Sequence, residues 1–181
     1  GDHGEEFFEQ GVTGHDTLHD GNIRQGMIVK PPSQTELPVP KTPDLIDVLP
    51  TVAQLVGAEV PSQCRGVPWQ DGEAETRPRI TERIRPDWYS IAVEEGDTKG
   101  IFTYESNFPY RPDDTTLSDE PVEATFHRLS AVRNYDTDET GVVNAAEQDR
   151  LAKLADAFFA QGTSQDGSDR REHTISPDTN A

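Results

Sequence analysis

Apolar residues fall into a few short groups along this chain, and each group has its own spacing. Leu45, Val48, Leu49, Val52, Leu55 and Val56 recur at helical intervals, which predicts one amphipathic helix within Asp44 to Val56. Pro50 cannot sit deep inside a helix; it fits in the first turn, with Asp47 as N-cap. Gly57 then supplies the left-handed residue past the end. The apolar face of this helix is expected to lie on a main sheet. Upstream, Met27 to Lys30 is apolar and β-branched, bounded by Gly26 and Pro31, and predicts a short buried strand. Between them stand prolines 31, 32, 38, 40 and 43 of the 14 in the chain, which predict a stiff, extended connector.

The texture changes beyond Thr76. Arg79 to Arg83, Tyr89 to Glu94, Lys99 to Tyr104 and Phe126 to Val132 each have the apolar, aromatic and β-branched character of a strand. The turn Glu95-Gly96-Asp97 separates two of them. Four such strands joined by turns predict an antiparallel sheet. Leu151, Leu154, Ala155, Phe158 and Phe159 share one helical face, and that helix is expected to cover the sheet. Residues 111–121 are expected to form a mobile loop. From Gly162 to Ala181 almost nothing can be buried, so a disordered tail is expected. The organisation expected is therefore α/β. Residues 1–76 carry turn, strand and helix, residues 77–161 a small antiparallel sheet with a terminal helix, and residues 162–181 the tail.

Composition narrows the functional classes. The 181 residues include 34 acidic and only 16 basic side chains, for a net charge of −18. Such a chain repels nucleic acid and anionic membrane surfaces. The charge is spread along the sequence, and only residues 30, 41, 99 and 153 are lysine. Acidic excess with scarce lysine suits a high-salt interior, where screening offsets self-repulsion. Mean hydropathy is −0.75, and no apolar run approaches a membrane span. No signal peptide is recognisable, so a cytoplasmic location is expected. Cys64 is the only cysteine, so an internal disulfide is excluded.

Chemistry concentrates in the opening stretch Gly1-Asp2-His3-Gly4-Glu5-Glu6. Glycines let the backbone turn sharply and let a ligand approach. An adjacent carboxylate and imidazole offer oxygen and nitrogen donors that suit a divalent cation, so Asp2 and His3 are candidate metal ligands. Glu5 and Glu6 are candidate acceptors bracing His3, with solvated side chains as the default. His15 and His19 stand four apart beside Asp16 and Asp20; on a helix they would share a face and offer a second candidate grip on a metal.

The order of motifs carries a resemblance. Asp2-His3-Gly4 is followed by Gly14-His15-Asp16 and by Leu18 to Arg24. Met27 to Pro32, Asp47-Val48-Leu49-Pro50-Thr51 and Arg65-Gly66-Val67-Pro68-Trp69 come after. This order resembles the C-terminal part of the sulfatase family, within the alkaline-phosphatase superfamily. The likeness is strong over roughly the first seventy residues and loose over the next ninety. It implies that residues 1–76 form the C-terminal part of an alkaline-phosphatase-like α/β/α sheet domain. Residues 77–161 would then be the small domain with which sulfatases end.

The same resemblance implies a metal-dependent hydrolase of sulfate esters, acting on a small-molecule or saccharide ester. Asp2 and His3 would complete a divalent cation site, with calcium first on resemblance and zinc or manganese favoured by the imidazole nitrogen. His15 falls where the family contacts the substrate's anionic group, often through lysine. Histidine is the weaker cation, and this departure leaves phosphate esters open. The family's nucleophile is a cysteine oxidised to formylglycine within C-x-P-x-R. Cys64-Arg65-Gly66-Val67-Pro68 lacks that proline and arginine, so the nucleophile is expected upstream, and this chain is expected to be an inactive C-terminal fragment. A non-catalytic acidic module is the reading from another class.

Overall fold

A computed structural model describes residues 1–33, 35–72, 77–106, 117–130 and 142–164, the side chains of 161–164 excepted. The expected tail beyond 164 and most of the expected loop 111–121 fall outside the described residues. The chain divides into two compact units, residues 1–25 with 80–181, and residues 26–79. The opening turn thus belongs with the sheet unit, not with the helix at Asp47 as residues 1–76 would have it.

In the first unit, the two-residue strands β1 (Glu6–Phe7) and β2 (Thr13–Gly14) pair antiparallel as a small hairpin. A single helical turn, α1 (Asp20–Ile23), follows. Later come β3 (Arg79–Ile84), β4 (Trp88–Glu95), β5 (Thr98–Glu105) and β6 (Glu123–Arg128), ordered β3-β4-β5-β6 in one sheet. β4 to β5 and β5 to β6 pair antiparallel. The antiparallel sheet of four strands expected from their apolar, aromatic and β-branched runs is present. The last strand begins three residues earlier than expected, and its pairing runs on to Leu129, whose N–H donates to Asp97 C=O at 2.7 Å; residues 131 and 132 of the expected strand lie outside the described residues. Gly96 opens the β4–β5 turn at φ 60°, a conformation glycine adopts without steric cost.

Successive strand residues face opposite sides, and the two sides differ sharply here. Tyr89, Ile91 and Val93 of β4 join Phe102 and Tyr104 of β5 in the buried core. Helix α3 (Ala145–Ser164) closes that face with Leu151 and Ala155, both 1% exposed. Phe159 packs its ring 5.8 Å from Tyr89 and 5.4 Å from Tyr104. A Cβ on Gly100 would meet the Phe102 ring at 2.9 Å and Leu151 at 3.4 Å, so glycine there makes room for the packing. Asn144 caps α3. Its Oδ1 accepts the N–H of Ala146 and Glu147 at 3.0 and 3.1 Å, and Glu147 Oε2 accepts the N–H of Asn144 at 2.9 Å. That is a reciprocal capping box.

The opposite face is polar and partly roofed by residues 16–20. Lys99 is wholly buried, and its Nζ donates to Asp20 Oδ1 at 3.1 Å. Arg24 approaches the other oxygen of Asp20 at 3.6 Å. Leu18, 4% exposed, packs in the same segment.

The second unit holds the short 3₁₀ turn Leu45–Asp47 and α2 (Val48–Leu55). Pro50 is the third residue of α2, within its first turn. Gly57 takes φ 71°, and the N–H of Ala58 donates back to Ala53 C=O at 2.8 Å, ending the helix as its glycine predicted. Two expectations need correction. Asp47 precedes α2 but makes no side-chain cap. Its Oδ1 instead accepts Val67 N–H at 2.9 Å and the Arg77 guanidinium at 2.7 Å, and burial pushes its carboxyl up from the usual range. The apolar stripe of the helix is also not its buried side. Leu45, Ile46, Leu49, Val52 and Val56 are exposed, while Pro50, Thr51 and Ala53 are buried. Polar anchors decide this: Thr51 Oγ1 accepts Trp69 N–H at 3.1 Å, and Trp69 is 2% exposed.

Met27 to Lys30 forms no strand, and Ile28 is fully exposed. A buried strand needs ladder partners, and this segment has none among the described residues. Cys64 lies half-buried in a loop, its N–H donating to Pro61 C=O at 2.9 Å. Among the described residues, no helix is long and apolar enough to cross a membrane.

Candidate functional site

Two glycines set the opening turn. A Cβ on Gly4 would lie 2.0 Å from Gly21 C=O and 2.7 Å from Arg24 C=O. A Cβ on Gly21 would come within 2.9 Å of Glu6 Cγ. The chain at Gly4 therefore lies directly on α1, and Gly4 N–H donates to Asn22 C=O at 2.6 Å. Glu6, 1% exposed, fixes the same junction. Its Oε2 accepts Thr17 Oγ1 at 2.8 Å and Asn22 Nδ2 at 3.0 Å. Glu6 is thus a buried clasp and not a brace for His3.

The β1–β2 hairpin then folds His15 back over the opening turn. His3 and His15 rings lie 4.8 Å apart. The Nδ1 of His15 reaches Glu5 Oε2 at 3.2 Å, so Glu5 braces His15. One ligating atom each from His3, Glu5 and His15 falls within 4.8 Å of the other two. The Nδ1–H of His3 donates to Gly4 C=O at 2.7 Å, which leaves the Nε2 lone pair available. Asp2 Oδ2 stands 3.8 Å from that Nε2. Asp2 is exposed, and its own backbone N–H followed by the His3 ring hold its carboxyl below the usual carboxylate range. All four side chains are open to solvent.

Of the sequence candidates, His3 and His15 are brought together, with Asp2 beside His3, while His19 lies elsewhere. His19 precedes α1 and sits edge-on to His127 at 5.5 Å. The pair His15 and His19 shares no helical face, because α1 begins only at Asp20. Glu5 is the member that residue pattern did not place. The signal was present in Gly11 and Gly14, whose φ values of 79° and 94° let the hairpin return His15 to Glu5.

The donor set can be tested against the metals. Two imidazole nitrogens with one or two carboxylates match zinc or manganese. Calcium takes six to eight oxygens and fits these residues less well. Comparison of the chain with protein-family models, with curated proteins and with solved structures gave no match.

Proposed function

We propose that this chain belongs to a metal-dependent sulfuric ester hydrolase of the sulfatase kind, and that its opening turn supplies part of the divalent cation site. One observation carries the reading: donor atoms of His3, Glu5 and His15 converge within 4.8 Å at an exposed glycine-bounded turn. The sequence resemblance supplies the reaction class, within an alkaline-phosphatase-like fold.

In this reading His3, Glu5 and His15 hold the cation, and the Asp2 carboxylate beside His3 adds negative charge at its edge. A bound cation would polarise the sulfur or phosphorus centre and offset charge on the ester oxygens. The clasp of Glu6, Thr17 and Asn22 keeps the turn seated, so the ligands need little rearrangement to close on a metal. Zinc or manganese, rather than calcium, is the ion these donors favour.

Titration calorimetry of the chain with zinc, manganese and calcium tests the site. Zinc or manganese is expected to bind more tightly than calcium. His3→Ala is expected to weaken binding by about tenfold or more. Equal binding by wild type and His3→Ala would remove the site. The reaction class is tested with a matched aryl sulfate and aryl phosphate offered to the protein containing this chain. Turnover of the sulfate that falls on Asp2→Ala is the expected result. Faster turnover of the phosphate would replace sulfate with phosphate esters, the alternative that His15 in a lysine position favours.

A further inference from the structure

The sheet face opposite α3 encloses a groove of about 540 Å³, within the size range of small-ligand sites. Its floor is built by alternation: Trp88 and Ser90 from β4, Ile101 and Thr103 from β5, Thr125 and His127 from β6. Residues 16–19 form one wall. The reading of the opening turn makes no use of this groove.

Charge restricts what the groove can take. Asp16, Asp87, Glu105 and Glu123 line it against a single guanidinium, Arg83. Arg83 is already committed, with Nη2 donating to Asp16 Oδ1 at 2.6 Å. An anionic ligand would meet net repulsion here. What remains is a set of acceptors and hydroxyls. Ser90 Oγ and Thr103 Oγ1 lie 2.8 Å apart, and the His127 Nε2 meets Thr125 Oγ1 at 3.0 Å. Glu105 and Glu123 are exposed at the edge.

Apolar surface is interleaved with these groups. The Arg83 guanidinium lies 4.3 Å over the Trp88 ring and fixes that ring as a wall. Ile101 and Val122 add aliphatic surface. A ligand that satisfies this lining must donate many hydrogen bonds, accept some, carry no negative charge and present a hydrocarbon face. Polyamines donate but cannot accept from the Ser and Thr hydroxyls.

We propose that this groove binds a neutral saccharide, its hydroxyls donating to Glu105 and Glu123 and its C–H face against Trp88 and Ile101. Carboxylates accept two hydroxyl donors each, one per oxygen, and charge-assisted bonds of this kind are the stronger ones. The site would hold a short oligosaccharide without any contribution from the opening turn.

Calorimetric titration of the chain tests this with maltotriose, cellotriose and N,N′-diacetylchitobiose, with a sulfated maltotriose and spermidine as contrasts. At least one neutral sugar is expected to bind saturably below about 10 mM, and more tightly than the sulfated sugar. Glu123→Gln keeps shape on an exposed edge position and is expected to weaken that binding by about tenfold. Trp88→Ala should weaken it as well, with a thermal melt showing whether the sheet survives. The proposal is overturned if none of the three sugars binds, if spermidine or the sulfated sugar binds best, or if Glu123→Gln binds as wild type does. None of these results depends on a metal, so the groove and the cation site fail separately.

Discussion

Lys99 and Asp20 stand 79 positions apart in sequence, yet they form a buried ion pair that ties the opening segment to the sheet. Taking both charges out of water is costly, and the pair offsets that cost only while both partners remain. Asp20→Ala leaves a buried ammonium without its carboxylate and is expected to destabilise the protein by about 3 kcal/mol. Replacing both, as Asp20→Leu with Lys99→Met, should cost less than the single change, because the buried ammonium goes together with the carboxylate facing it, while the half-exposed Arg24 can turn to water. Denaturant melts of the two variants decide it; equal losses would show that packing, not charge, holds the junction. No sequence pattern could have paired these residues, since a lone lysine in a strand reads as solvated. Asp2 and His3 could be singled out, by contrast, because they are adjacent and glycines flag the turn around them. Glu5 could not be placed, because its partner lies ten residues on, across a hairpin.

At the level of elements, what could be read depended on whether each element carries its own partner. β4 and β5 could be read from their apolar and aromatic residues, because they bury a face under α3 and the chain supplies that helix. Met27 to Lys30 has the residues of a strand but no neighbour to pair with among the described residues, and it forms no regular element. In α2 the apolar stripe predicted the helix correctly and its buried side wrongly, since Asp47 and Thr51 hold the loop through backbone N–H groups. The α3 cap is the cleanest element to test. Asn144→Ala removes the acceptor for two N–H groups and is expected to cost about 1 kcal/mol. Gly100→Ala acts on the same interface from the other side. Its Cβ would press on Phe102 and on Leu151, and overpacking of this sort costs about 1–3 kcal/mol. Thermal melts of both variants should show Gly100→Ala as the larger loss; the reverse order would mean that α3 shifts freely over the sheet.

The whole chain carries a net charge of −18, and its ion pairs are mostly arginine to carboxylate. Arg128 bonds Asp97 at 2.9 Å and Glu147 at 2.6 Å, and Arg83 bonds Asp16 at 2.6 Å. Salt acts on this molecule in two opposed ways. It weakens exposed pairs, each worth about 0–1 kcal/mol. It also screens the repulsion among excess carboxylates, as the Debye length falls from about 10 Å at 0.1 M to about 3 Å at 1 M. Acidic side chains outnumber basic ones 34 to 16, so repulsion among like charges dominates and the second effect is the larger. A gain of a few kcal/mol would move the unfolding midpoint by roughly 5–10 °C for a chain of this length. Melts in low and molar KCl should therefore show the midpoint rising with salt. Sodium sulfate would raise it in any protein by strengthening burial, so the decisive comparison is KCl, whose effect here comes mainly through charge. A midpoint that stays flat or falls in molar KCl would show that the arginine ion pairs, and not the excess of negative charge, govern the electrostatic balance of this fold.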